Sequence, residues 1–345
     1  MKVVYIALDP LKYPRIKKIA QSIRKLDWVE FEAMIPKFRA ICHGRLGRIL
    51  FAVANYLAVL FQAFFVKADI FWVANCPDIL TLPLVLRRKK YLLEYRSPWS
   101  MEVEREFGRG PWVRLTAIVE SIGLRNSMAI TLTTSKLLGR VSSFSKPIFV
   151  IPNFPTKNFK AFSSAEDFRK RYGVKSGERI VLFVGKLTRI EGADMLPKII
   201  EQVLKKVNCV FWIVGDGPLL SDLITVEEKF GDRVRSFGWK PNEEVPDFIN
   251  AADICIAPRH ISAYSQFYNE EGLQKLSEYM FFQKPIVACG VARSNEYLLV
   301  DQNDMADGIL RALNGMVRLP RRRTWEDYSE KKIYEMFDLI YCGKI

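Results

Sequence analysis

The chain reads as an α/β protein of two Rossmann-like lobes. Short β-branched and aromatic runs, such as Lys2–Leu8, Asp69–Ala74, Ile180–Val184 and Asp253–Ala257, alternate with segments whose apolar residues recur every three or four positions. That is the pattern of buried parallel strands joined by crossover helices. At 345 residues the chain also exceeds one comfortable core. Its net charge of +14 is divided unevenly: residues 1–160 carry 26 Lys/Arg against 11 Asp/Glu, the rest 26 against 27. The boundaries expected are 1–155 for an N-terminal lobe, 156–178 for a linker, 179–320 for a C-terminal lobe and 321–345 for a terminal helical segment.

Taken in order, Lys2–Leu8 is the first strand, followed by the loop Asp9–Arg15. Pro14 opens a helix over Arg15–Leu26 with Ile16, Ile19, Ile23 and Leu26 on one face. Its cationic residues, Arg15, Lys17, Lys18, Arg24 and Lys25, read equally as a membrane or acceptor surface or as solvated helix. Phe31–Ile35 is the second strand. Lys37, Arg39, His43, Arg45 and Arg48 then adjoin the apolar run Ile49–Val66. With Asn55 and Gln62 inside it, this run is short for a span and reads as a buried or partly interfacial amphipathic helix. Asp69–Ala74 and Tyr91–Tyr95 are strands; Glu102, Glu104 and Glu106 form a polar patch before a helix around Trp112–Gly123. Ala129–Thr133 and Phe149–Ile151 complete the first lobe, and a charged helix, Ala165–Tyr172, ends at Gly173 in the linker.

In the second lobe Ile180–Val184 runs into Gly185–Gly192, then the helix Ala193–Leu204 and the strand Cys209–Val214. Glycines in Gly215–Asp216–Gly217–Pro218 permit close backbone approach. Val234–Phe237 leads to Gly238–Trp239–Lys240–Pro241, and Glu243–Ala251 is a small helix. After the strand Asp253–Ala257, Leu273, Leu276, Tyr279 and Met280 recur at helical spacing before the strand Pro285–Ala288. Glu270 precedes this helix and Glu278 stands eight positions on, a little over two turns, so both can face one crevice. Helix-start amides at Gly272 and Leu273 suit phosphate, and carboxylates accept bonds from sugar and ribose diols. On spacing alone, an ordinary helix with solvated acids is the alternative. His260 either touches a nucleotide or is a plain loop residue. Arg321–Arg323 leads into an amphipathic helix, Trp325–Leu339.

The run Glu270–Ala288 resembles the E-x7-E signature of retaining glycosyltransferases of family 4, with Glu270, Glu278, Met280 and Lys284–Ala288 in its positions. Gly185–Gly192 is similar to that family's G-R-L-x-x-x-K-G; Lys186 fills the first basic position, whereas Glu191 reverses the charge at the second, with Arg189 two residues earlier. Gly215–Pro218 resembles its G-x-G-P turn, and Pro152–Asn153 its V-I-P-N turn. Glu94–Trp99 resembles its D-x-R-D-x-W element, with Arg96 and Trp99 in place and Ser97 where the second acid would be.

The resemblance implies a GT-B architecture: two Rossmann-like domains facing each other across a cleft, the C-terminal helix returning to the first. It implies sugar transfer with retention from a nucleotide diphosphosugar, UDP- or GDP-linked, without metal or further cofactor. The catalytic residues it implies are Lys186, Arg189, Glu270 and Arg96. The nucleotide contacts are Gly185, Gly215, Gly217, Trp239, His260, Gly272, Leu273 and Glu278, the last on the ribose. Glu270 orients the transferred sugar, and Arg96 meets the leaving phosphate or an anionic acceptor.

A basic first lobe beside an apolar helix points to an anionic membrane surface and to a polyprenyl-phosphate-linked, phospholipid or membrane-glycan acceptor. Nucleic acid ranks last, for want of a recognition helix or RNP-like strand. Six scattered cysteines and the lack of a secretory signal place the chain in the cytoplasm, peripheral to the inner face of the cell membrane. Two rivals stand: a nucleotide-sugar epimerase, and a non-catalytic carbohydrate- or membrane-binding protein suggested by Glu191.

Overall fold

The computed structural model describes residues 1–7, 14–34 and 45–345, with only the backbone of 45–53. The loop at Asp9–Tyr13 and the cations Lys37 and Arg39, with His43, lie outside the described residues. The chain divides into two compact units, Met1–Pro152 with Asp327–Ile345, and Asn153–Glu326.

The first unit holds β1 (Lys2–Ile6), β2 (Glu30–Met34), β3 (Ile70–Ala74), β4 (Tyr91–Tyr95), β5 (Ala129–Leu132) and β6 (Ile148–Val150). They form one parallel sheet in the order β2-β1-β3-β4-β5-β6. Helices cover both faces of such a sheet, so its central strands β3 and β4 are buried at every residue and apolar but for Glu94. The helix Lys331–Tyr341 belongs to this unit: Phe337 packs 6.2 Å from the ring centroids of both Trp28 and Trp72. Lys25 pairs with Glu330 at 2.8 Å, and Ser329 Oγ donates to the Pro152 carbonyl at 2.6 Å.

Two readings of this unit are corrected. Arg15 is not on the solvent face of the helix Pro14–Ile23; it is buried, and its Nε donates to Glu94 Oε1 at 2.6 Å. The acids 102, 104 and 106 do precede the helix Pro111–Asn126, but as part of a helix of their own, Trp99–Phe107. Trp99, Val103 and Phe107 recur at helical spacing there, but the interleaved acids drew the reading to a polar patch. The long apolar run forms the helix Arg45–Phe65, with Val59 and Ala63 buried and Phe61 67% and Phe65 60% exposed. Phe61, Phe64 and Phe65 line an apolar hollow with Ile79, Leu82 and Leu86, and Arg87 lies 5.4 Å from the Phe64 ring. Among the described residues no helix is long and apolar enough to cross a membrane.

The second unit holds β7 (Arg179–Val184), β8 (Cys209–Val214), β9 (Val234–Ser236), β10 (Ile254–Pro258), β11 (Ile286–Cys289) and β12 (Leu298–Leu299). The sheet is again parallel, ordered β12-β11-β10-β7-β8-β9. Strand order reverses between β7 and β10, so the loops leaving their carboxyl ends turn to opposite faces and open a crevice, the usual ligand position in such sheets. Trp212 on β8 anchors one face, ringed by Phe168, Tyr172, Phe237 and Phe248 at centroid distances of 5.4–6.1 Å. Asp253 holds the 165–171 helix to the sheet: it takes Arg169 at 2.7 Å, Arg179 at 3.1 Å and the Ile180 amide at 2.8 Å. Helices Leu220–Phe230 and Met305–Leu313 were not read from sequence.

Burial alone would raise the Glu94 pKa, yet Arg15 and Arg96, with the Tyr5 hydroxyl at 2.6 Å, hold it below the usual carboxylate range. A depressed folded-state pKa supplies stability above the unfolded value that is lost as pH falls through the folded one. R15M leaves this carboxylate with less compensation and is expected to lose about 3 kcal/mol at pH 7, read from urea midpoints. The deficit should shrink as the carboxylate protonates in acid; a pH-independent deficit would contradict the ion-pair account.

Candidate active site

In a parallel sheet all strands deliver their carboxyl-end loops to one edge. Here four such loops meet at backbone distance. Gly185 N–H donates to Val214 O at 3.0 Å, Leu187 N–H to Asp216 O at 2.9 Å, and Gly215 N–H to Gly238 O at 2.8 Å. A Cβ on Gly215 would stand 1.8 Å from Gly185 O, and one on Gly192 (φ +75°) 1.3 Å from Pro258 O. Side chains at 192 and 215 are therefore excluded by neighbouring backbone.

The helix Gln274–Phe281 faces this edge, tied to β7 by a 2.9 Å bond from Val184 N–H to Tyr279 Oη. Glu270, in the loop before it, is buried, and its Oε2 has no hydrogen-bond partner. Burial raises its pKa, against its own backbone bond and a bond from Ser294. A buried carboxylate oxygen without a donor is an acceptor waiting for hydroxyls. Glu278 is also buried, and Gln274 Nε2 donates to its Oε1 at 2.7 Å.

The amides of Gly272 and Leu273, read as phosphate donors, both donate instead to Asn269 O, at 3.2 and 2.9 Å. A tight turn at 269–272 consumes them before the helix starts. The first i→i−4 bond here runs from Ser277 N–H to Leu273 O, so the amides of 274–276 are the ones at the helix start.

Lys186 is exposed and forms no ion pair among the described residues. Arg189 is exposed and 3.4 Å from Asp194. His260 is held between Asp194 Oδ2 and Gln302 Nε2, each at 2.9 Å, which makes it a brace between loops. Trp239 is 69% exposed beside Gly238. Glu191 lies between two cations, 2.8 Å from Lys275 Nζ and in contact with Arg259. Burial would raise its pKa, but Lys275 and Arg259 lower it to about 2. Sequence reasoning flagged the charge reversal but not its partners. Its one clue was the unpaired acid itself, which demands a cation from elsewhere in the fold.

Arg96 belongs to the other unit, at the end of β4; its Nη2 donates to Asn75 O at 2.9 Å and its amide to Asn75 Oδ1 at 2.7 Å. A cavity of about 600 Å³ in the second unit, bordered by Arg293, Asp301, Asp307 and Arg311, holds none of the candidate residues. Among the described residues no group of three or more His, Cys, Asp or Glu is placed to hold a metal ion.

Two parallel sheets with these strand orders and this glycine-walled edge define a GT-B fold, the fold of glycosyltransferases. Residues 178–315, within the second unit, match the family model described as Glycosyl transferases group 1. The chain is 27% identical over 187 residues to a 2-deoxystreptamine glucosyltransferase of Streptomyces kanamyceticus, covering 51% of this chain and 46% of that one. It spans less than half the length of the curated relatives it matches. In fold it is similar to sucrose-phosphate synthase from Thermosynechococcus elongatus, with a TM-score of 0.68 and 16% identity over 99% of this chain and 97% of that one. It is also similar to Anabaena HepE in complex with UDP, with a TM-score of 0.65 and 13% identity over 99% and 100%.

Because burial penalises the charged form of Glu270 in the folded state, that carboxylate opposes folding at neutral pH. E270Q is expected to unfold at a temperature no lower than wild type at pH 7, with any gain vanishing as pH falls into the carboxylate range. A thermal melt showing clear destabilisation at pH 7 would contradict this.

Proposed function

We propose that the protein is a retaining glycosyltransferase of family 4 that moves a sugar from a nucleotide diphosphosugar to an acceptor at an anionic membrane surface. The observation that carries this reading is the pair of buried acids, Glu270 with an unpartnered oxygen before the helix Gln274–Phe281 and Glu278 within it, in the segment that matches the glycosyltransferase family model. Glu270 orients the hydroxyls of the transferred sugar, and Glu278 holds the nucleotide ribose. As the anomeric bond breaks, positive charge grows on the sugar ring and negative charge on the departing phosphate. Lys186, exposed and unpaired at the end of β7, supplies fixed positive charge there, and Arg189 adds to it. The loops Gly185, Gly215 and Gly217 let the diphosphate approach backbone, and Trp239 serves the base. Arg96 of the first unit is assigned to the acceptor. UDP is the favoured donor base, supported by the likeness to HepE, whose structure contains UDP.

The acceptor reading rests on the surplus of Lys/Arg in residues 1–160 and on the exposed Phe61 and Phe65 beside Arg87. Basic charge next to apolar surface is how peripheral proteins grip anionic lipid. The non-catalytic alternative loses its main motive, since Glu191 is neutralised by Arg259 and Lys275 and does not stand as a bare negative charge.

A thermal-shift panel of UDP-, GDP- and ADP-sugars should show one base stabilising the protein; a flat panel would refute donor binding. E278A is expected to weaken that nucleotide at least about tenfold. K186A should keep most of the affinity and lose turnover on the order of 10²-fold. Equal affinity in wild type and E278A would remove Glu278 from the ribose. Separately, F61S/F65S should co-sediment less with vesicles containing phosphatidylglycerol than wild type does, and unchanged sedimentation would discard the membrane contact.

A further inference from the structure

The group 1 reading leaves one buried cation unexplained. Lys275 sits in the first turn of the helix Gln274–Phe281, with its side chain only 10% exposed. Its Nζ lies 2.8 Å from Glu191 Oε2, its one ion-pair partner among the described residues. It also lies 4.5 Å from the Phe183 ring centroid. A Cβ on Gly185 would fall 2.6 Å from this nitrogen, so the glycine is what admits it to the end of β7. An ammonium with three donors, buried against a single carboxylate, has donors to spare for a further anion.

Charge balance points the same way. Glu191 stands between Lys275 and Arg259, so the three groups together leave one positive charge in surplus. Arg259 is engaged elsewhere too, its guanidinium 4.5 Å from the Tyr268 ring centroid. The next acid, Glu278, is bonded to Gln274 and acts on Lys275 less than Glu191 does. The cluster stands where the loops after β7 and β10 part, the reversal point of the sheet. It adjoins the helix-start amides 274–276.

We propose that Lys275 is the second diphosphate-binding cation of this site, moved from the loop after β7 to the helix, with Glu191 positioning it. The inference rests on the nucleotide-sugar reading and deepens it. Lys186 approaches the phosphates from solvent; Lys275 approaches from within the unit, beside Gly185. Glu191 is then a positioning residue that holds the ammonium charged and aimed in a buried place.

The test compares UDP with UMP by calorimetry, using GDP and GMP if the thermal panel selects guanine, for wild type, K275M, K275R and E191K/K275M. Wild type should prefer the diphosphate. K275M should lose about tenfold or more of its diphosphate affinity while monophosphate affinity stays. K275R should retain most of the preference, and E191K/K275M, with the cation returned to the loop, should regain it. If wild type binds no nucleoside diphosphate, the donor-site reading falls and this inference with it. If wild type prefers the diphosphate and K275M does so equally, the inference alone fails. Equal losses for mono- and diphosphate in K275M would make the residue structural and also overturn it.

Discussion

The constraint on which the second unit depends is backbone meeting backbone at the carboxyl edge of its sheet. Gly185, Gly192, Gly215 and Gly217 stand where any side chain would meet a neighbouring carbonyl or, at 185, a buried ammonium. Close approach of the loops after β7, β8 and β10 brings groups far apart in sequence into contact: 191 with 259 and 275, and 194 with 260. The strand order supplies the gap, and the glycines supply walls thin enough to expose amides and carbonyls along it.

The chemistry placed on that edge is kept at some expense to stability. Glu270 is buried without a full set of donors, and burial pushes its pKa up. Lys275 is buried, and burial pushes its pKa down despite Glu191 beside it. Both charges are held in surroundings that oppose them, whereas Glu94 in the first unit is fully compensated by Arg15, Arg96 and Tyr5. Uncompensated charge in a packed domain is tolerated where a ligand completes it.

Much of this was legible because parallel strands announce themselves. Cys209–Val214 is an unbroken apolar run and Tyr91–Tyr95 is broken only by Glu94; both appear at their expected bounds. The α/β class follows from such runs alternating with helical periodicity. The interleaved acids of Trp99–Phe107 hid a helix whose apolar residues do recur every four positions. The candidate acids Glu270 and Glu278 could be paired from the sequence because one short motif contains both. Pairing failed where partners come from separate strands: nothing local marks Lys275 as the mate of Glu191, and nothing reveals that Arg15 points inward to Glu94. Helix-start geometry also escaped a reading by spacing, since the Asn269 carbonyl takes the two amides expected to be free.

The first unit is discontinuous in the chain, for residues 327–345 complete it. During vectorial synthesis Trp28 and Trp72 thus lack their Phe337 neighbour until residue 337 has left the ribosome. The continuous segment 153–326 is by then whole. The lobe that begins first is finished last.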